Sequence, residues 1–149
     1  MARVTVKGSG GGNVKAAARA AGEAAMKAVA AELNGRFQDA IGSRVWSWPN
    51  NTKRSNGKIV GSPRTIVDSG ALRQSNALQI TGTVAVFRWS VNYASAIHEG
   101  AVLWNGGIIQ PRPWTRAVMG DETVPGVEPY DYRKAMFDRW LNHFLNAQS

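Results

Sequence analysis

Three short signatures, which follow one another in a fixed order between residues 64 and 119, constrain the path of this chain most strongly. They are residues 66–75 (IVDSGALRQS), residues 91–100 (VNYASAIHEG) and residues 110–115 (QPRPWT). The first has the residues of a tight turn, and the second has those of a short helix ended by glycine. The third predicts an extended segment, fixed by two prolines, that leads into another helix. All three indicate control of chain direction, and none has the residues of an active site.

The N-terminal part of the chain predicts one long helix. Residues 3–7 alternate as a short strand does, and the glycine-rich residues 8–12 predict a flexible connector. The helix is expected from Asn13 to about Ile41, because this segment is rich in alanine and carries an apolar stripe. Gly42 is a suitable end for it. The first half of the stripe is mostly alanine, which permits another helix or a sheet to approach closely.

Residues 77–90 predict a β-hairpin. Gly82 and Thr83 form a two-residue loop with glycine first, which is the pattern of a type II′ turn. Counting across that loop places one apolar set on a single face, which we expect to pack on the long helix. The members of this set are Leu78, Ile80, Ala85, Phe87 and Trp89.

The remaining elements are short helices and a second hairpin. Asp68 is expected to cap a helical turn, and the glycines after Asn105 predict a hairpin loop. A helix is expected to begin at Pro113 or Trp114, and Asp131 should cap a final helix. The apolar stripe of that final helix contains Met136, Phe137, Trp140, Leu141, Phe144 and Leu145.

Together these elements predict an α+β fold in a single domain over residues 1–149. The expected architecture is an antiparallel sheet packed against a long N-terminal helix and a C-terminal helix, with a long extended basic loop. That loop, residues 43–67, has no clear period and is long for a compact domain, which is typical of a flexible or functional arm.

The extended loop concentrates positive charge. No Asp or Glu occurs between residues 40 and 67, whereas five cations and two tryptophans do. Three interpretations stay open for the tryptophans: anchors of the loop in the core, residues of a protein interface, or stacking platforms for single-stranded bases. We expect the set to contact a neighbouring subunit or partner: Arg44, Trp46, Trp48, Lys53, Arg54, Lys58 and Arg64.

The composition excludes several classes of protein. A net charge of +8 favours acidic protein surfaces or polyanions as partners. The chain has no cysteine, so it can form neither a disulfide framework nor a thiolate metal site. It has no run of 18 apolar residues and no apolar stretch typical of a signal peptide at its N-terminus, so we expect no membrane partner.

Catalytic and cofactor motifs are missing from the sequence. The two histidines, His98 and His143, do not form the HExxH pattern of a zinc enzyme, and no GxSxG nucleophile motif is present. The glycine run at residues 8–12 lacks the Gly-Lys-Ser/Thr end of a phosphate loop. We therefore expect no enzyme activity and no catalytic, cofactor-binding or metal-binding residue.

The ordered set of three signatures resembles the tail-component family of tailed bacteriophages, whose members lie in the neck where head joins tail. The resemblance covers about residues 64–119. The long N-terminal helix predicted ahead of them also fits the pattern of this family. The matching residues come from the turn, from the glycine-ended helix and from the proline-led helix start. They are Asp68, Gly70, Leu72, Arg73 and Ser75, then Tyr93, Ala94, Glu99 and Gly100, then Arg112, Pro113 and Trp114.

This resemblance implies a structural virion protein of the neck or tail end. Such a protein would form a ring with copies of itself, a hexamer, between the head connector and the tail tube. It would assemble in the host bacterial cytoplasm and would contact neighbouring connector and tail-tube proteins. Any DNA contact would lack sequence specificity. If the basic arm makes the ring contact, deleting residues 46–62 should leave a folded monomer that does not assemble.

The alternative function is that of a small basic nucleic-acid-binding protein. The same positive charge would then neutralise phosphates, and the affinity would fall steeply with salt.

Overall fold

The computed structural model describes residues 11–148, so the predicted strand at residues 3–7 lies outside the described residues, as does most of the glycine connector. Gly11 and Gly12 belong to the first helix, which therefore begins earlier than Asn13. The helices are α1 (Gly11–Gly42), α2 (Ala71–Gln74), α3 (Ala94–Glu99), α4 (Trp114–Met119) and α5 (Tyr132–Gln148). The strands are β1 (Thr52–Lys53), β2 (Ile59–Val60), β3 (Asn76–Thr81), β4 (Val84–Trp89), β5 (Ala101–Val102) and β6 (Ile108–Ile109).

The predicted α+β class is confirmed. The described strands form three separate two-stranded sheets, in which β1 pairs with β2, β3 with β4, and β5 with β6. Each pair is joined by a short connection and is antiparallel. None of the helices among residues 11–148 combines the length and the apolar character needed to cross a bilayer.

The chain divides into two compact units. The described residues of the first unit are 11–32, 78–86 and 131–148. Its helices are in close contact because α1 presents small side chains: Ala21 and Ala25 are buried, and the indole N–H of Trp140 donates to the backbone oxygen of Ala18 at 3.1 Å. The Trp140 ring stacks on Phe144, with 5.1 Å between the ring centroids. The alanine stripe therefore has the role expected of it, which is to let another helix approach closely; here that helix is α5, which brings Trp140 to the backbone of α1.

The final helix begins as predicted, because the Asp131 carboxylate accepts from the backbone N–H of Lys134 at 3.1 Å. Its apolar stripe is buried only in part. Phe144 is buried, whereas Phe137 and Leu145 are exposed. A stripe of six residues extends over about half of the helix circumference, which is wider than the side that a single neighbouring helix covers.

The second unit, residues 33–77 and 87–130, has an aromatic core. Phe37 of α1 meets Phe87 and Trp89 of β4 edge to face, with centroid distances of 5.1 and 5.8 Å. Trp89 in turn meets Trp114 at 5.4 Å. Burial alternates along β3 and β4 in the predicted phase, so the expected apolar face is confirmed. The core aromatics thus fix the start of α4 against the hairpin, and α4 follows the Arg112-Pro113 segment directly.

Candidate protein interaction site

Residues 46–64, here called the basic ribbon, fold back on themselves in the second unit. Trp46 and Arg64 form an antiparallel bridge in which each backbone N–H donates to the other's backbone oxygen, at 3.2 and 2.9 Å. The Trp46 side chain is only 3% exposed, and its indole N–H donates to the backbone oxygen of Ala40 at 2.8 Å. The base of the ribbon is therefore fixed to the end of α1.

The far end of the basic ribbon is exposed. Strands β1 and β2 pair with Thr52 opposite Val60 and Lys53 opposite Ile59. A tight turn joins them, because the backbone N–H of Arg54 donates to the oxygen of Lys58 at 2.9 Å. Lys53, Lys58 and Ile59 are exposed, so this end presents two ammonium groups and one apolar side chain to solvent or to a partner.

Trp48 lies between two arginines. The guanidinium carbon of Arg112 lies 3.5 Å from the centroid of the Trp48 ring, and that of Arg64 lies 3.9 Å from it. In such contacts the cation is attracted to the electron-rich face of the indole ring. Both faces of Trp48 are therefore occupied by the protein itself, and no face remains for stacking a nucleic-acid base.

The two stacked arginines are buried without an acidic partner. Each is 4% exposed, and among residues 11–148 no carboxylate forms an ion pair with either. Arg112 instead donates to the backbone oxygens of Gln110 and Ser47, and Arg64 donates to that of Val60. Burial, reinforced by the nearby charge of Arg64, lowers the pKa of Arg112 to about 10. Burial and then the charge of Arg54 lower the pKa of Arg64.

A cavity of about 390 Å³ opens on the Arg64 side of this stack. It is bounded by the basic ribbon, by residues 65–73 and by part of α3. Four cationic residues line it, together with a single carboxylate, that of Asp68. The cations are Lys53, Arg54, Arg64 and Arg73. The wall of the cavity thus carries an excess of positive charge, which suits a ligand with negative groups.

The predicted interface residues therefore fall into three groups. Trp46 and Arg64 are buried within the unit, and of the alternatives considered for Trp46 the structure shows the loop anchor. Lys53 and Lys58 are exposed. Arg44 is exposed as well, whereas Trp48 and Arg54 are half-buried. A deletion of residues 46–62 would remove a core side chain along with the exposed end, so it would not leave the unit intact.

The first signature forms its turn by a different contact from the one predicted. Asp68 does not cap α2; its Oδ1 accepts from the backbone N–H and the hydroxyl of Ser55, at 2.9 and 3.0 Å. Gly70 stands at the N-cap position with φ of 86°, a conformation that glycine adopts without strain. Leu72 is buried beneath the turn, and Arg73 is exposed at the edge of the cavity. The Asp68 carboxylate does not cap α2 because it bonds instead to two donors of the basic ribbon, the backbone N–H and the hydroxyl of Ser55.

The second signature is fixed by an ion pair. Both oxygens of Glu99 accept from Nη1 of Arg116, at 2.8 and 2.9 Å. These bonds lower the pKa of Glu99, and a bond with His98 lowers it further. The Glu99 carboxylate in turn raises the pKa of Arg116. His98 also bonds to the hydroxyl of Thr115 at 2.7 Å. The helix α3 is thereby joined to α4 by side chains, which sequence reasoning did not assign.

Gly100 and the third signature bring the chain back over α3. Gly100 has φ of 79°, and a Cβ there would lie 2.9 Å from the backbone oxygen of Ile109. The backbone N–H of Arg112 donates to the backbone oxygen of Ile97 at 2.9 Å. Trp114, the first residue of α4, is buried. Tyr93, which precedes α3, lines the cavity and is partly exposed.

A second exposed surface lies on the hairpin of β5 and β6, here called the apolar hairpin. Trp104 at its tip is 99% exposed, Val102 is 77% exposed, and Ile108 is 67% exposed. Val102 and Ile108 are opposite each other in the ladder, so these side chains form one patch. Sequence reasoning predicted the hairpin but did not assign it to an interface. The apolar residues that flank the turn in the sequence were the signal by which this surface could have been identified.

Within the described chain, no group of three or more His, Asp or Glu side chains is placed to hold a metal ion. The His98 ring is already bonded to Glu99 and Thr115 and packs edge to face on Trp114 at 4.6 Å. This arrangement positions α3 and α4.

The chain matches no protein-family model, no curated protein and no solved structure.

Proposed function

We propose that this protein is a structural component of the neck or tail end of a tailed bacteriophage, where it acts by forming a ring with copies of itself. The observation that carries the proposal is the apolar hairpin. Apolar side chains as exposed as Trp104, Val102 and Ile108 are typical of surfaces that become buried against a partner. A tryptophan in such a patch is a frequent main contributor to binding energy.

The three ordered signatures support the same proposal. Their residues build the frame that positions the cavity and the apolar hairpin: the turn at Gly70 borders the cavity, and Gly100 directly precedes the apolar hairpin. Arg112 stacks on the ribbon residue Trp48. Residues that resemble a neck-protein pattern thus support surfaces suited to protein contacts. We propose that the ring lies between head connector and tail tube and assembles in the host cytoplasm without bond-making chemistry.

The test of ring formation uses the purified chain and a variant of the apolar hairpin. We expect annular particles by negative-stain imaging and a matching native mass, and we expect Trp104→Ser to lose them while its thermal unfolding is unchanged. Val84→Ser is the matched control, because it removes exposed apolar surface from the other hairpin. Particles formed equally well by Trp104→Ser would show that the hairpin is not the contact.

The test of the neck role uses phage assembly. Particles produced without this chain should accumulate as separate heads and tails, and adding the purified protein should join them. Intact, infectious virions formed in its absence would contradict the neck role.

The exposed cations favour one second candidate, a nucleic-acid-binding protein. Lys53 and Lys58 are positioned to contact phosphates, although the covered faces of Trp48 disfavour base stacking. This function predicts an affinity for DNA that falls steeply between two salt concentrations. Filter binding that is absent or insensitive to salt would remove it.

A further inference from the structure

The second unit separates its charges along the chain. Between residues 40 and 67 it has five cations and no carboxylate. Between residues 117 and 130 it has three carboxylates and no Lys or Arg. These three are Asp121, Glu122 and Glu128, in a segment here called the acidic loop, and all are exposed.

The two charged segments do not neutralise each other within the described chain. No cation of the basic ribbon has a carboxylate within ion-pair distance among residues 11–148. In the acidic loop, Glu122 pairs with Arg116, which lies outside the ribbon, at 3.3 Å. Asp121 and Glu128 form no ion pair among the described residues. Each segment therefore has charge to offer to another molecule.

The cavity next to the basic ribbon has the chemistry of a carboxylate site. Arg54, Arg73 and Lys53 line it, and planar guanidinium groups bind carboxylates through paired N–H donors. The single acid in its wall, Asp68, is bonded to Ser55 through one oxygen. A volume of about 390 Å³ is ample for one or two acidic side chains.

We propose that this cavity receives the acidic loop of a second copy of the chain, so that each subunit of the ring inserts Asp121 or Glu128 beside the basic ribbon of the next. The inference rests on the proposed ring. A contact between two different surfaces repeats head to tail, and such a contact closes into a ring when the rotation between copies closes. The recessed shape of the cavity and the covered faces of Trp48 favour a protein loop over a duplex.

The experiment uses the absence of cysteine from the chain. One copy carries Thr52→Cys, at the cavity, and another carries Thr123→Cys, in the acidic loop; both positions are exposed. We expect a short bis-maleimide to join the two proteins when mixed, with far less product from either protein alone.

Charge reversal tests which groups make the contact. Lys53→Glu with Arg73→Glu in the first protein should lower the cross-linking yield by at least about tenfold. Asp121→Lys with Glu128→Lys in the second should do the same, and combining both sets should restore the yield. Lys15→Glu with Arg88→Glu, two exposed cations away from the cavity lining, is the matched control and should have no effect.

The outcomes separate this contact from the proposed function. Annular particles with a cross-linking yield that the charge reversals do not change would overturn the contact and leave the ring standing. If the unmodified chain forms no oligomer at any concentration or with its neck neighbours, the ring itself is contradicted, and the contact with it. Charge reversals that weaken the binding of a labelled DNA duplex but not the cross-link would assign the cavity to phosphate instead.

Discussion

The guanidinium carbon of Arg112 lies 3.5 Å from the centroid of the Trp48 ring, although the two residues are 64 positions apart in sequence. The contact joins the third signature to the basic ribbon. Its geometry is fixed by the donor bonds of Arg112 to the backbone oxygens of Gln110, at 2.6 Å, and Ser47, at 3.2 Å. The side chain of Arg112 therefore links the two loops, and its positive charge is buried in this position.

Replacing this arginine with lysine should weaken the fold. Arg112→Lys keeps the charge but loses the planar contact with Trp48 and at least one of the two backbone acceptors. We expect the free energy of unfolding to fall by about 1–3 kcal/mol, measured by urea denaturation. Arg88→Lys, at an exposed position, should change it by less than about 0.5 kcal/mol. Equal stability of the two variants would show that the stack contributes little.

The indole N–H of Trp46 offers a second test. In Trp46→Phe the backbone oxygen of Ala40 loses its buried donor, so we expect a loss of about 1–3 kcal/mol in unfolding free energy. The same change at the exposed Trp104 should cost less than about 0.5 kcal/mol. Thermal and urea unfolding of both variants measure the difference. A Trp46→Phe protein as stable as the unmodified chain would contradict the anchoring role of that bond.

Two glycines should respond to alanine in opposite directions. Gly35 lies inside α1, and a Cβ there would meet no atom within 4 Å. Gly35→Ala should therefore stabilise the protein by about 0.5–1 kcal/mol. Gly100→Ala should destabilise it, because its Cβ would lie 2.9 Å from a backbone oxygen at a positive φ. Melting temperatures that move in the same direction would refute this pair of expectations.

The bonds of Glu99 to Arg116 predict a pH dependence. Since the pKa of Glu99 is lowered in the folded state, its contribution to stability is fully present above the ordinary glutamate pKa of about 4.3. The contribution is lost as the pH falls through the lowered folded value. Glu99→Gln should therefore unfold at a lower temperature than the unmodified chain at pH 7. That difference should disappear progressively below about pH 4.3. A difference that stays constant down to pH 2 would mean that the carboxylate charge is not responsible.

The sequence alone determined the elements whose signals are local. The length of α1, the phase of burial along β3 and β4, the Asp131 cap and the start of α4 all follow from neighbouring residues, through propensity, alternation and capping. The tertiary structure decided the features that join distant residues. Asp68 bonds to Ser55 instead of capping α2, Trp46 is buried under the ribbon, and Arg64 and Arg112 enclose Trp48.

The contacts between distant residues could not be predicted because burial and charge pairing depend on distances in space. The periodicity of a sequence does not specify those distances. A basic segment without acids predicts an exposed cationic loop. Only the folded chain reveals that Trp46 and Arg64 are buried and that three cations of the segment, Lys53, Arg54 and Arg64, line a cavity. It also reveals that exposed apolar side chains gather on the short hairpin around Trp104. The sequence thus predicted a basic contact segment, and the tertiary structure decided which of its side chains are exposed and which are buried.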